Sequence, residues 1–237
     1  MIVGISMVKD EDDFVETTIQ HMLAEGVDRF LIFDNNSTDH TRTILERFPQ
    51  VEVRDDPEVG YFQSAKMSFL AEQARNMGAE WVIPFDADEI WFRYQRDGSV
   101  ADFLSHTKAD VVWANTFEHP PTALVPSPMR ARDRKSLRKV AFRAWPNVWV
   151  AQGNHNVNRP GKRVVGLEIR EFQYRTLAQF ARKVRNGKAA YDATDLPEGE
   201  GAHWREMGAM TDTELLKRWH EMVNRTDTIY DPAPIRC

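Results

Sequence analysis

The 237-residue sequence is almost without cysteine: Cys237, the last residue, is the only one. A disulfide within the chain is therefore impossible, and a thiol at a chain end that is expected to fray is a poor catalytic nucleophile. No stretch approaches the roughly 20 apolar residues that a membrane helix needs. Residues 1–8 are apolar but lack the basic start and long apolar core of a signal peptide. These absences predict a cytoplasmic protein, either free or peripheral to a membrane.

The sequence also lacks an excess of positive charge. It has 31 Lys and Arg against 36 Asp and Glu, a net charge of -5 at pH 7. Nucleic acid is not expected as a partner, because its phosphates attract basic surfaces. Basic residues are nevertheless concentrated between residues 130 and 143. A solvated loop explains this cluster, and the alternative is a binding surface for a phosphate group or a polyanionic acceptor.

The first ninety residues alternate between two periodicities. Short apolar runs predict strands at residues 2–8, 29–34, 51–53 and 81–85. Helical spacing of apolar residues predicts helices between them, at residues 14–25, 38–48 and 63–77. Because strands and helices alternate, we predict an α/β fold with a parallel sheet flanked by helices.

The pattern changes after residue 92. A strand is predicted at residues 109–115, and residues 140–142 and 147–150 look like antiparallel additions to the sheet. Helices are predicted from residues 177 and 214, the first capped by Thr176 and ended by Gly187. We expect Arg182, Lys183 and Arg185 to complement the C-terminal dipole of that helix. Residues 193–201, with one proline and two glycines, are predicted to form a mobile loop.

The most informative segment is residues 81–91, where Asp86, Asp88 and Glu89 follow an apolar run. In an extended chain, Asp86 and Asp88 point the same way. Two carboxylates so close repel each other unless a cation lies between them, and Mg²⁺ or Mn²⁺ prefers such oxygen ligands. An acidic turn explains the same residues without a ligand. Asp34 also ends a predicted strand, so it is expected to face the same crevice, where α/β sheets bind ligands.

Four segments together resemble the GT-A glycosyltransferases, particularly the family 2-like group: residues 7–11, 33–41, 85–89 and 152–157. The second reads FDNNSTDHT and the third FDADE, close to two motifs of that group. The fourth contains a Gly-Asn-His sequence, and the first has Lys-Asp-Glu where the group usually has Lys-Asn-Glu. The resemblance is strong over residues 1–92 and patchier from there to about residue 205.

The resemblance implies a GT-A fold with a mostly parallel sheet and antiparallel C-terminal additions. It implies transfer of a sugar from a nucleotide-sugar, with UDP as the expected nucleotide, to an acceptor hydroxyl with inversion. Residues 1–92 would then form the nucleotide-sugar-binding half, and residues 93–237 the acceptor-binding half and C-terminal helices of the same domain. The implied acceptor is a glycan, a lipid-linked precursor or a small molecule.

By the same resemblance, Asp86 and Asp88 would hold Mn²⁺ or Mg²⁺, which would stabilise the leaving diphosphate. His155, or alternatively His203, would complete the metal shell. An exposed loop position explains His155 without a ligand.

The resemblance assigns binding of the nucleotide-sugar donor to Lys9, Asp34, Asn35 and Asp86. In the resemblance, Asp34 binds the nucleotide base, where a carboxylate accepting an imide N–H would favour uracil or thymine. A helix-capping turn explains Asp34 and Asn35 without a nucleotide.

An inverting transfer needs a base that takes the proton of the acceptor hydroxyl, and downstream carboxylates are the candidates. We consider Glu118, Glu168 and Glu171, with Glu118 and Glu171 as the alternatives carried forward. Related sequences often place a histidine near the position of Glu171, so this chain departs from the group there. Exposure to solvent is the alternative explanation for Glu171.

Two other classes share the fold. Sugar-phosphate nucleotidyltransferases normally carry a glycine-rich basic loop after the first strand, whereas this chain offers only Gly4 before acidic residues. A non-catalytic nucleotide-sugar-binding module is the third possibility, and the intact Asp86-Ala87-Asp88-Glu89 argues against it. Loss of donor turnover in Asp88→Ala would separate the enzyme from the module.

Overall fold

A computed structural model describes residues 1–236, with Arg96 described by its backbone alone; Cys237 lies outside the described residues. The strands are β1 (Ile2–Val8), β2 (Arg29–Asp34), β3 (Val51–Asp55), β4 (Trp81–Pro84), β5 (Glu89–Arg93), β6 (Val111–Glu118), β7 (Met129–Ala131), β8 (Lys139–Arg143), β9 (Arg163–Glu171) and β10 (Thr228–Tyr230). The α-helices are α1 (Val15–Ala24), α2 (Thr41–Leu45), α3 (Gln63–Asn76), α4 (Val100–His106), α5 (Leu177–Asp192), α6 (Ala202–Gly208) and α7 (Asp212–Val223).

Eight strands form one sheet in the order β3-β2-β1-β4-β8-β6-β9-β5. The first four run parallel to one another, and β6 and β9 share their direction, while β8 and β5 run against it. The predicted α/β fold with a mostly parallel sheet and antiparallel additions is therefore confirmed. A second, two-stranded antiparallel sheet pairs β7 with β10.

Helices cover both faces of the sheet because its inner strands carry buried apolar residues on both sides. On β1, Val3 and Ile5 pack with Met67 and Leu70 of α3 on one face. Ile2 and Val8 point to the opposite face, where α1 and α4 pack. Helices α5, α6 and α7 form a separate layer around Phe180, Val184 and Leu215. Within residues 1–236, no helix is long and apolar enough to cross a membrane.

The prediction that Gly187 ends its helix is wrong, because α5 continues to Asp192. A Cβ at Gly187 would lie 2.6 Å from the ring of Trp204, so this glycine allows α6 to pack closely on α5. Thr176 does cap α5, since its side chain accepts the Gln179 N–H.

The predicted strand at residues 147–150 is also wrong. Only Val150 makes a bridge, to Val157. Asn147 has a positive φ of 54°, which breaks an extended run. Strands β5 and β9 and helices α4 and α6 were not predicted. Strand β9 lies between β6 and β5, and it joins residues 89–93 to the second half of the chain.

Candidate functional site

A cavity of about 170 Å³ opens at the carboxyl ends of β1, β2 and β4. Parallel strands end at the same edge of a sheet, so the loops that follow them converge there. Helix α5 closes the opposite side. The residues of the cavity wall that matter for chemistry are Lys9, Asn35, Asp86, Asp88, Glu171 and Lys183.

Asp86 and Asp88 both reach this cavity, but each is paired with a different lysine. Lys139 donates from Nζ to Asp86 Oδ2 at 2.5 Å, and Asn154 donates to Asp86 Oδ1 at 3.1 Å. Lys183 donates from Nζ to Asp88 Oδ2 at 2.6 Å. The charge that relieves the repulsion between the aspartates is therefore supplied by two side chains of this protein.

Lys183 belongs to a wider ion-pair cluster that ties α5 to the loop after β1. Its Nζ also contacts Glu11 Oε1 at 2.5 Å, and Arg175 contacts Glu11 Oε2 at 2.5 Å and Asp13 Oδ1 at 2.7 Å. Burial alone would raise the pKa of Asp88, but the charges of Lys183 and Arg175 lower it to about 2. Burial opposes the charged form of Lys183, yet Asp88 and Glu11 raise its pKa above the ordinary value. Asp88 and Lys183 are both ionised at neutral pH.

Glu89, the third carboxylate of the acidic motif, is completely buried and supports the turn. It accepts the backbone N–H of Asp86 at 3.0 Å and the indole N–H of Trp91 at 3.1 Å. Lys139 lies 3.0 Å from its other oxygen. Burial raises the pKa of Glu89 to about 8, in spite of Lys139. Glu89 and Lys139 therefore hold Asp86 in place from inside the protein.

The two candidate bases, Glu118 and Glu171, are partners in register at the ends of β6 and β9. Glu171 lines the cavity that contains Asp86 and Asp88, whereas Glu118 lines a neighbouring cavity and pairs with Arg225 at 2.6 Å. Glu171 is 8% exposed, so it does not simply face solvent. Burial raises the pKa of Glu171 although Lys135 pairs with it, and Asp88 adds to the rise. Glu171 is the better placed of the two.

The residues expected to bind the donor lie around the ends of β1 and β2. Lys9 Nζ donates to the carbonyl oxygens of Asn35 and Asn36 at 2.8 and 3.1 Å, and Lys9 and Asn35 both line the cavity. Asp34 is buried, and its Oδ1 accepts the Ser37 N–H at 3.1 Å, as in a capping turn. Asp34 therefore lies behind the cavity wall that Asn35 forms.

The histidines expected to complete a metal shell do not line the cavity that contains Asp86 and Asp88. His155 Nδ1 is 2.9 Å from the carbonyl oxygen of Arg138, and burial lowers the pKa of His155. His203 lines the neighbouring cavity with Glu118. Among residues 1–236, no three His, Cys, Asp or Glu side chains converge as a metal-binding group. The residues present at Asp86 and Asp88 do not fit a divalent cation, because an ammonium group is already bonded to each carboxylate.

Sequence reasoning missed Lys139 and Lys183 as site residues. They lie 53 and 95 residues along the chain from the aspartates they contact. Lys183 was assigned to the C-terminal dipole of α5, but that helix runs nine residues further. Glu11 lies in the first of the four matched segments, in the acidic run of residues 10–13 that follows β1.

The model of the family described as "Glycosyl transferase family 2" matches residues 5–161. A search of curated proteins found no match. Among solved structures, TarS 1-349 of S. aureus is similar at 14% identity and a TM-score of 0.47, over 95% of this chain and 73% of that one. A mycobacterial protein is similar at 14% identity and a TM-score of 0.41, over 84% and 76% of the two chains. HddC from Yersinia pseudotuberculosis is similar at 10% identity and a TM-score of 0.38, over 70% and 91%.

Proposed function

The chain belongs to glycosyl transferase family 2 and is a glycosyltransferase, and we propose that it moves a sugar from a UDP-sugar to an acceptor hydroxyl with inversion. The observation that carries the proposal is the placement of Glu171 in the same cavity as Asp86, Asp88, Lys9 and Asn35. A donor can then occupy the strand-end side of this cavity while a carboxylate faces its anomeric carbon.

In the proposed reaction, the acceptor oxygen attacks the anomeric carbon as the bond from that carbon to the diphosphate oxygen breaks. The bonding electrons leave with the diphosphate, and Glu171 takes the proton of the acceptor hydroxyl. Attack opposite the leaving group inverts the anomeric configuration. Lys135, paired with Glu171, favours the charged form of the carboxylate, which can accept this proton, and so opposes the effect of burial.

The acceptor is proposed to enter from the neighbouring cavity of about 480 Å³. Gln173 lines both cavities, so they adjoin, and Lys135 lines the second cavity while pairing with Glu171. The walls of this second cavity are polar and charged, with Tyr174 and Arg225 among them. A hydroxylated acceptor, such as a glycan, a lipid-linked precursor or a small sugar, suits these walls.

UDP is proposed as the nucleotide because Asn35, which follows β2, lines the cavity beside Lys9. An amide oxygen there would accept the imide N–H of uracil. Thymine has the same imide N–H, so a dTDP-sugar is the main alternative donor. A GDP-sugar serves as the contrasting donor.

The test is release of nucleoside diphosphate from a panel of UDP-, dTDP- and GDP-sugars, with hydroxylated acceptors present. We expect release from a UDP-sugar that rises when an acceptor is added, and inverted configuration in the product. Turnover of a GDP-sugar alone would contradict the assignment of the nucleotide. If the protein neither binds nor turns over any donor in the panel, the proposed function is wrong.

A further inference from the structure

We propose that the ammonium group of Lys183 takes the place of the divalent cation at the Asp-x-Asp motif, so that the donor's diphosphate binds without metal. This inference rests on the proposed function, because it concerns the same donor site. It assigns Asp88 to positioning Lys183 instead of coordinating an ion.

The position of Lys183 supports this assignment. Its side chain is 19% exposed and lines the cavity. An ammonium group has three N–H donors. Asp88 and Glu11 each accept one, at 2.6 and 2.5 Å, which leaves a third for a phosphate oxygen.

The carboxylates of the acidic motif are already paired with cationic side chains of the protein. A divalent ion at Asp88 would lie within a few ångströms of Lys183, and two cations that close repel each other. Moving Lys183 away would leave Glu11 and Asp88 buried with less compensation, which is costly. Asp86 is tied in the same way to Lys139, whose side chain is only 5% exposed.

Further positive charge surrounds the cavity. Arg182 precedes Lys183 on α5 and lines the cavity. Its guanidinium group donates a hydrogen bond to the carbonyl oxygen of Asp10 at 2.9 Å. Lys9 lines the cavity from the other side. A diphosphate that gains charge as the glycosidic bond breaks would thus be met by fixed cations of the protein.

Calorimetric titration of UDP into the wild-type protein tests the inference, once with EDTA and once with Mn²⁺. The two affinities are expected to agree within about twofold, and Mn²⁺ titrated alone is expected to show no binding by electron paramagnetic resonance. In EDTA, Lys183→Met should bind UDP about tenfold more weakly or worse, because a charged contact to phosphate is lost. Lys188→Met is the matched control, since Lys188 lies on the same helix and pairs with the exposed Asp192. Its UDP affinity should not change.

The wild-type titrations need no variant, so misfolding of Lys183→Met would not remove the test. Wild-type protein that binds UDP with Mn²⁺ and not with EDTA would overturn the inference and leave the proposed function standing. Binding of UDP to Lys183→Met at wild-type affinity in EDTA would also overturn it. If UDP binds under neither condition, and dTDP and GDP titrated in the same way also fail to bind, the proposed function falls and this inference falls with it.

Discussion

Lys183 Nζ contacts Asp88 Oδ2 at 2.6 Å, and this bond joins helix α5 to the turn after β4. The second aspartate of the acidic motif therefore has a cationic partner from the C-terminal part of the chain. Because Glu11 shares the same ammonium group, three elements meet at one point: the loop after β1, the turn after β4 and α5. The donor cavity is built around this point, so changes there affect both stability and binding.

Glu171→Gln should lower turnover by a factor of about 10²–10⁴ with little change in UDP affinity, because the variant loses a proton acceptor and keeps its shape. Steady-state rates and calorimetry measure the two effects. Glu118→Gln should lower turnover much less, since Glu118 lies in the neighbouring cavity. Glu72→Gln, on the exposed side of α3, is the neutral control. A larger loss in Glu118→Gln than in Glu171→Gln would transfer the role of base to Glu118.

Asp88→Asn should lower the free energy of unfolding by about 1.5–3 kcal/mol, the usual worth of a hydrogen bond to a charged group. Lys183 keeps Glu11 as a partner in this variant, so the loss is smaller than for an isolated buried charge. Urea unfolding at neutral pH measures it. Glu46→Gln removes the exposed partner of Arg42 and should leave the midpoint unchanged. Equal effects in the two variants would show that the buried cluster does not stabilise the fold.

Gly187→Ala should lower the melting temperature although alanine is the better helix former. The new Cβ would lie 2.6 Å from the Trp204 ring, and overpacking costs about 1–3 kcal/mol against a propensity gain of about 1 kcal/mol. Gly199→Ala is the control, because a Cβ there meets nothing within 4 Å. A higher melting temperature for Gly187→Ala would show that α6 does not pack on α5 as described.

Acid should destabilise the protein through two buried histidines. Burial lowers the pKa of His21 to about 4, and the pKa of His119 likewise to about 4. His21 is neutral in the fold, with Nε2 2.7 Å from the Trp91 carbonyl oxygen and Nδ1 accepting the Arg236 N–H at 3.0 Å. The unfolded chain binds a proton below pH 6.5 and the fold does not. The stability that each neutral histidine contributes is therefore complete above pH 6.5 and is lost as the pH drops toward 4, by up to about 3 kcal/mol for each histidine. Glu89, whose pKa is raised to about 8, acts in the opposite direction as the pH falls from 8 to 4.5.

Urea unfolding as a function of pH measures this loss. Between pH 6.5 and 4, His21→Gln should lose about 3 kcal/mol less stability than the wild type, because His119 and Glu89 titrate alike in both proteins. His220→Gln, at an exposed position near the end of α7, should leave the profile unchanged. An unaltered slope in His21→Gln would mean that His21 takes up a proton without cost to the fold.

The first half of the fold could be predicted because its signals are local. The predicted strand at residues 2–8 and the predicted helix at residues 63–77 agree with β1 and α3 within one residue, since apolar spacing and glycine stops lie within each segment. Strand β9 escaped prediction because its inner residues are buried without a regular alternation, and pairing with β6 and β5 decides its conformation. Such pairing is not visible in a short window of sequence.

The carboxylates of the site could be predicted, but their partners could not. Asp86 and Asp88 stand out within a strand-end motif, and the cavity does contain both. In the sequence, Lys183 is explained by a predicted helix end, where basic residues are favourable. Nothing in the neighbouring residues indicates that it reaches Asp88. Only the packing of α5 against the loop after β1 brings these charges together.

The most direct measurement is a crystal structure of the protein with UDP, grown with Mn²⁺ present. We expect the diphosphate in the cavity beside Glu171, with a phosphate oxygen within hydrogen-bond distance of Lys183 Nζ and with Asp88 still bonded to Lys183. Manganese bound between Asp88 and the diphosphate, with Lys183 displaced, would contradict the role assigned to Lys183.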